Sequence, residues 1–201
     1  MKVIDKIFGS LVIGFIIPIA GLCIFWWGSY LLKLNVFSGV TAGLVLGIMI
    51  EMVMLPRLVS RMYNINAIIL TVVFVIYSIG IFGFFMGVPV FNIIAGFMAA
   101  FYMGRKMKIT GADKAAFKAK LTATNCFSTL ILIIICISSA YIAINDPYTG
   151  ANLEGMLSLD FKVTKEMLWG LILIGGTFLT ALQYAISVLI GRLAYRMSVE
   201  V

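Results

Sequence analysis

Six long apolar runs, separated by short segments that carry most of the charge, constrain this chain more than any other feature. They lie at roughly 9–32, 37–56, 66–87, 89–104, 120–145 and 167–191. About 20 helical residues, rising 1.5 Å each, cross a hydrocarbon core of about 30 Å. Four runs meet that length and the second nearly does; 89–104 is short at 16 residues. Only 11% of the 201 residues are charged, against 63% hydrophobic. A soluble fold of this size would lack the polar groups to cover its surface. The runs show no period-two alternation, which argues against a membrane β-barrel. The expected fold is an all-α integral membrane protein, one domain over 1–201, built as a bundle of six transmembrane helices. Lys2 and Lys6 before an apolar stretch have the form of a secretory leader. Leu11–Leu32 is nevertheless long enough to span, and is read as the first helix.

Charge sets the expected orientation. With the N-terminus inside, the inner segments hold Lys2, Lys6, Arg57, Arg61, Arg105, Lys106, Lys108, Lys114, Lys118, Lys120, Arg192 and Arg196. The outer segments hold only Lys33, Lys162 and Lys165. Twelve against three predicts both termini on the cytoplasmic side of a plasma or inner membrane. The net charge of +7 then reflects loops facing an anionic leaflet, not nucleic acid. Arg105, Lys106, Lys108, Lys114, Lys118 and Lys120 are expected against anionic headgroups, with a docked cytoplasmic partner as the sharper reading. Trp26, Trp27 and Trp169 near outer ends, and Tyr63, Tyr102 and Tyr195 near inner ends, agree with this placement.

The turn at Phe84-Phe85-Met86-Gly87-Val88-Pro89-Val90 has no charge, so 66–104 is either a two-pass hairpin or a re-entrant loop. Its 39 residues give about 58 Å of helix, enough for two passes, with a tight turn at Gly87 and Pro89. Thr110 with Asp113 resembles a capping box that starts a helix running into the fifth span. Asn145-Asp146-Pro147 predicts the end of that span. The 146–166 loop is too apolar for a solvated tether and is expected to form an ordered lid, with Thr164 capping the sixth span.

Small residues mark close approaches. Gly39, Gly43 and Gly47 form one row, and Gly96, Ala100 and Gly104 another. Residues four apart share a helix face, and glycine there lets a second backbone come near. Such rows serve packing within the bundle or contact with a homo-oligomer or a partner subunit. Gly14, Gly21 and Gly28 repeat at heptad spacing in the first span, where Pro18 removes a hydrogen bond to the Gly14 carbonyl and predicts a kink.

Polar residues inside the spans suggest a site. Glu51 continues the Gly39/Gly43/Gly47 row, about 7–8 Å from the cytoplasmic boundary at Pro56. An intramembrane acid marks a site unless it is paired. It is therefore either a proton- or cation-coupling carboxylate or one half of a salt bridge to Arg192, Arg57 or Arg105. Thr122, Asn125 and Thr129 share a face of the fifth span; Thr177, Thr180, Tyr184 and Ser187 form a stripe on the sixth, with Gln183 beside it and Arg192 at its end. Together with Glu51 they are expected to line a polar cleft between the second, fifth and sixth spans. Asn92 is the matching polar residue near the outer end of the fourth span.

The chain has no histidine, no paired intramembrane carboxylates, no nucleophile elbow and no phosphate loop. Cys23, Cys126 and Cys136 lie in apolar runs without metal-site spacing. No enzyme activity, metal or cofactor is expected. In size and span count, the chain resembles the small substrate-binding subunits of energy-coupling-factor vitamin transporters. The resemblance implies a six-helix bundle and a partner docked through small residues. In that family the docking residues lie on the first helix; here the small-residue rows are strongest in the second and fourth spans, and no vitamin-binding motif carries over. The expected function is a small transporter, channel or substrate-binding transporter subunit. The alternative is a non-transporting subunit or assembly protein that binds proteins or lipid through its glycine faces.

Overall fold

The computed structural model describes residues 3–85 and 87–197. Lys2, Met86 and the two chain termini, all used in the reading above, lie outside the described residues. The described residues are predominantly helical, with no β-strand among them. Five stretches are long and apolar enough to cross a membrane: Val3–Leu31, Val36–Asn64, Ala67–Phe84, Lys114–Asn145 and Lys165–Arg196. Large apolar side chains such as Phe37, Ile76, Ile137 and Ile174 are exposed along them, as lipid contact requires. This is a multi-pass membrane protein. Contacts along the chain group into two compact units, residues 3–65 and 66–197.

In the first unit, α1 (Val3–Ile13) and α2 (Ile16–Leu31) are two parts of one apolar stretch, broken at Gly14-Phe15. Pro18 stands in the first turn of α2 and has no N–H for the Gly14 carbonyl. The expected kink thus falls at Gly14-Phe15, a local break in the hydrogen-bond ladder that starts four residues before the proline. Helix α3 (Val36–Arg61) starts at Asn35, whose side chain accepts from the Ser38 amide at 3.2 Å. It continues through Pro56 to Arg61, past the boundary the sequence suggested. The glycine row of α3 packs on α2. A methyl built at Gly43 would lie 2.5 Å from the Gly21 carbonyl oxygen, and one at Gly47 would lie 2.7 Å from Pro18 Cα. Gly39 faces Ser29 in the same seam.

In the second unit, α4 (Ala67–Phe84) is capped by Asn66. A turn through Gly87, at φ +81°, and a 3₁₀ turn at Pro89–Asn92 lead into α5 (Ile93–Ile109). Phe85 and Phe91 stack across this connection with ring centroids 3.8 Å apart. The Asn92 side-chain amide donates to the Ser78 carbonyl at 2.7 Å, tying the start of α5 to α4. Helix α6 (Lys114–Asn145) has 32 residues and starts at Asp113, which accepts from the Ala116 amide at 2.8 Å. The capping residue is therefore Asp113, not Thr110. Thr110 closes α5 instead, followed by Gly111 at φ +68°, a left-handed conformation suited to glycine after a helix.

Helix α6 ends at Asn145 as the Asn-Asp-Pro sequence predicts. The connection after α6 contains a short helix, α7 (Thr149–Leu157), closed by the Glu154 carboxylate accepting from the Val163 amide at 2.6 Å. It is ordered, as expected, and its Tyr148, Met156, Leu157 and Phe161 side chains are exposed. Helix α8 (Lys165–Gly170) is capped by Thr164. It continues into α9 (Gly176–Arg196) through a π-helical turn at Leu171–Gly175, which the sequence reading did not anticipate.

Candidate functional site

Glu51 lies in the first unit. It is 5% exposed and one turn beyond Gly47 on the α2-facing side of α3. Its Oε1 lies 3.9 Å from where a Cβ at Gly14 would be, placing the carboxylate at the α1–α2 break. It faces the backbone of Ile17, yet neither oxygen completes a hydrogen bond among the described residues. The salt-bridge reading has no support within this unit, since Arg57 is exposed while Glu51 is buried. A second buried acid was missed. Asp5 is 0% exposed and accepts a 2.8 Å hydrogen bond from the Tyr63 hydroxyl. Its signal was its spacing, four residues from Gly9 and eight from Ile13, the buried face of α1.

The polar residues of the last spans lie in the second unit, built around α5, α6 and α9. Two apolar clusters bracket them. Ile93, Leu132 and Leu179 form one, with Phe97 and Cys136 against it. Ala100, Phe117 and Leu121 form the other, with Met107 and Tyr195. Between Leu121 and Leu132 on α6 lie Asn125 and Ser128; between Leu179 and Gly191 on α9 lie Gln183 and Ser187. Helix α5 spans the same interval from Ile93 to Ala100. A methyl at Gly96 would lie 2.8 Å from Gln183 Nε2, so the Gln183 amide rests directly on the α5 backbone. Gly104 meets the Gly191 carbonyl and Ala194, and Gly191 meets Leu121.

Asn125, Gln183 and Ser187 are each 0% exposed. Both polar atoms of the Asn125 amide, both of Gln183, the Ser187 hydroxyl and the Thr129 hydroxyl have no hydrogen-bond partner among the described residues. Ser128 Oγ, by contrast, donates to the Asn125 carbonyl of its own helix at 3.1 Å. An unpaired buried polar group costs about 1–3 kcal/mol in proteins. This layer therefore opposes the stability of the unit that contains it. It is uncharged and offers both donors and acceptors.

Several expected site residues lie elsewhere. Thr122, Tyr184 and Arg192 are exposed. Thr180 is half-buried and bonds the Gly176 carbonyl of its own helix at 3.0 Å. The buried face of α6 runs through Leu121, Asn125, Ser128 and Leu132, so Ser128 takes the place assigned to Thr122. On α9 it runs through Leu179, Gln183, Ser187 and Gly191, which puts Gln183 inside the stripe and Tyr184 outside it. Arg105 is 0% exposed and donates to the Met197 carbonyl at 3.1 Å, at the end of α9. It is withdrawn from the headgroup layer where the sequence reading placed it. Lys114, Lys118 and Lys120 are exposed, while Lys106 and Lys108 are half-buried over the rings of Tyr102 and Tyr195.

No protein-family model, curated protein or solved structure matches this chain.

Proposed function

We propose that this protein is a small multi-pass transporter, or the substrate-binding subunit of one, for an uncharged solute rich in hydrogen-bonding groups. One observation carries the reading: the neutral layer of Asn125, Gln183 and Ser187, unpaired and sealed between two apolar clusters. Polar groups inside a membrane bundle are costly, and substrate pathways are a common reason to keep them. Their chemistry selects the ligand. Two amides and a hydroxyl suit a neutral amide, polyol or heterocycle, and provide no counter-charge for an ion.

In this reading α5 is a sixth pass. It has 17 residues, and the 3₁₀ turn at Pro89–Asn92 extends it. It packs between α6 and α9 through the whole interval between the two clusters. The charge distribution then places both termini in the cytoplasm of a cell membrane, with Lys114, Lys118 and Lys120 against anionic lipid. The subunit-docking alternative is weakened by the glycine rows, because Gly43 and Gly47 are occupied by α2, and Gly96 and Gly104 by α9. Catalysis has no place in this reading.

The test is a thermal-shift screen of the purified protein against neutral amides, polyols and nucleobases, with the Asn125→Leu variant beside the wild type. A solute that stabilises the wild type and not the variant supports the proposal. Stabilisation only by charged compounds, or equal stabilisation of both proteins, contradicts it.

A further inference from the structure

We propose that Glu51 and the α1–α2 break form a site for one small monovalent cation, H⁺ or Na⁺. The site lies in the first unit, so the inference stands whether or not the polar layer of the second unit binds a solute.

Three observations converge on it. First, the helix is interrupted at Gly14-Phe15, between the end of α1 at Ile13 and the start of α2 at Ile16. The Ser10 and Phe15 carbonyls on either side of it still accept from the amides of Gly14 and Ile19, at 2.8 and 3.1 Å. Pro18 removes the amide that would otherwise bond the Gly14 carbonyl. Second, the Glu51 carboxylate is aimed at this break, with Oε1 beside Gly14. Third, the carboxylate is nine-tenths buried and neither oxygen has a hydrogen-bond partner among the described residues. The Ile17 amide, in the first turn of α2, faces the carboxylate without completing a hydrogen bond, so carboxylate and freed carbonyl remain two acceptors with no donor between them. A proton resolves this by making the carboxyl a donor to a carbonyl. Na⁺ resolves it by taking oxygens from both, as broken membrane helices do for coupling ions.

The packing of the unit protects the arrangement. Gly47, one turn before Glu51, brings α3 against Ile17 and Pro18: a methyl there would lie 3.0 Å from the Ile17 carbonyl oxygen. Within the unit, the other charged and titratable groups on the three helices lie elsewhere. Asp5 is bonded by Tyr63, while Lys6, Cys23, Tyr30, Arg57 and Arg61 are exposed. None of these side chains supplies the missing charge balance by a hydrogen bond to Glu51.

The experiment has two arms, each run on the full chain in detergent with wild type and Glu51→Gln. In the first, choline chloride is replaced by sodium chloride at constant ionic strength and pH, and the melting temperature is followed. In the second, the infrared C=O stretch of a protonated carboxyl is followed across pH in choline alone. A sodium site predicts a rise of about 2–4 °C in wild type that Glu51→Gln lacks. A proton site predicts a carboxyl band in wild type that titrates and is missing from Glu51→Gln. Identical behaviour of the two proteins in both arms overturns the proposal. Should Glu51→Gln fail to fold, carbodiimide labelling of the wild type replaces it. A mapped adduct at Glu51 that Na⁺ or rising pH suppresses supports the site; an adduct insensitive to both, or none, overturns it.

Discussion

In the first unit, the glycine row of α3 runs against α2 and ends on a carboxylate; in the second, the row of α5 runs against α9 and begins on the neutral amide of Gln183. Both seams bring backbones together by removing side chains, which substitutes for the hydrophobic drive that lipid does not provide. They differ in what polar chemistry the close approach encloses. The first unit has two buried acids, one bonded by Tyr63 and one facing a broken helix. The second encloses uncharged amides and hydroxyls between apolar clusters. Close packing therefore does not dictate polarity. One seam encloses carboxylates and the other neutral amides and hydroxyls.

The largest expected effects are on the seams themselves. Gly43→Ala places a methyl against the Gly21 carbonyl and Phe25, and Gly104→Ala places one against the Gly191 carbonyl. Each is expected to lower stability by about 1–3 kcal/mol or more, because backbone cannot move aside cheaply. Gly28→Ala and Gly80→Ala face open space. They are expected to be neutral, or to stabilise by up to about 1 kcal/mol through helix propensity. Thermal unfolding in detergent measures all four. If the seam and control variants behave alike, the two seams are not what joins the helices.

Next in size is the contrast between paired and unpaired polar groups. Tyr63→Phe removes the hydrogen bond to buried Asp5 and is expected to cost about 1–3 kcal/mol. Ser187→Ala removes a hydroxyl with no partner and is expected to cost nothing measurable, or to stabilise. A large loss in Ser187→Ala would mean that the polar layer is bonded to itself, and the contrast between the units would fail.

Smallest are the caps, which test a feature the units share. Asn35→Ala and Asp113→Ala each remove one side-chain hydrogen bond at a helix start and should cost about 1 kcal/mol apiece. A markedly larger cost at one of them would show that its helix start carries tertiary as well as local energy.

Hydropathy made five of the six expected spans and the all-α class legible, because backbone groups in lipid must bond within their own helix. The α3 and α5 glycine rows were legible for a similar reason: small residues four apart have few other uses in a membrane helix. The faces of α6 and α9 were not. In water, apolar residues mark the core side, but in lipid both sides are apolar and only the polar stripe remains. Thr122, Asn125 and Thr129 make one stripe and Leu121, Asn125, Ser128 and Leu132 another; they share Asn125, and only the packing against Gly191 and Ala100 selects the second. Asp5 was overlooked and Arg105 misplaced because charge near a span end reads as a headgroup contact by default. Their burial depends on Tyr63 and on the end of α9, distant in sequence. The break at Gly14-Phe15 was legible from Pro18, but that Glu51 would face it depends on the register of α3 against α2.

The central claim is that the neutral layer of the second unit is kept for a ligand and not for stability. The most direct test is the melting temperature of the double variant Asn125→Leu/Gln183→Met against wild type, without solute. Similar volumes fill the layer with apolar groups, so the cost of the unpaired amides disappears while packing is largely kept. The account predicts an unchanged or higher melting temperature. A clear fall would mean that these amides hold the bundle together by hydrogen bonds between helices, and would contradict the claim.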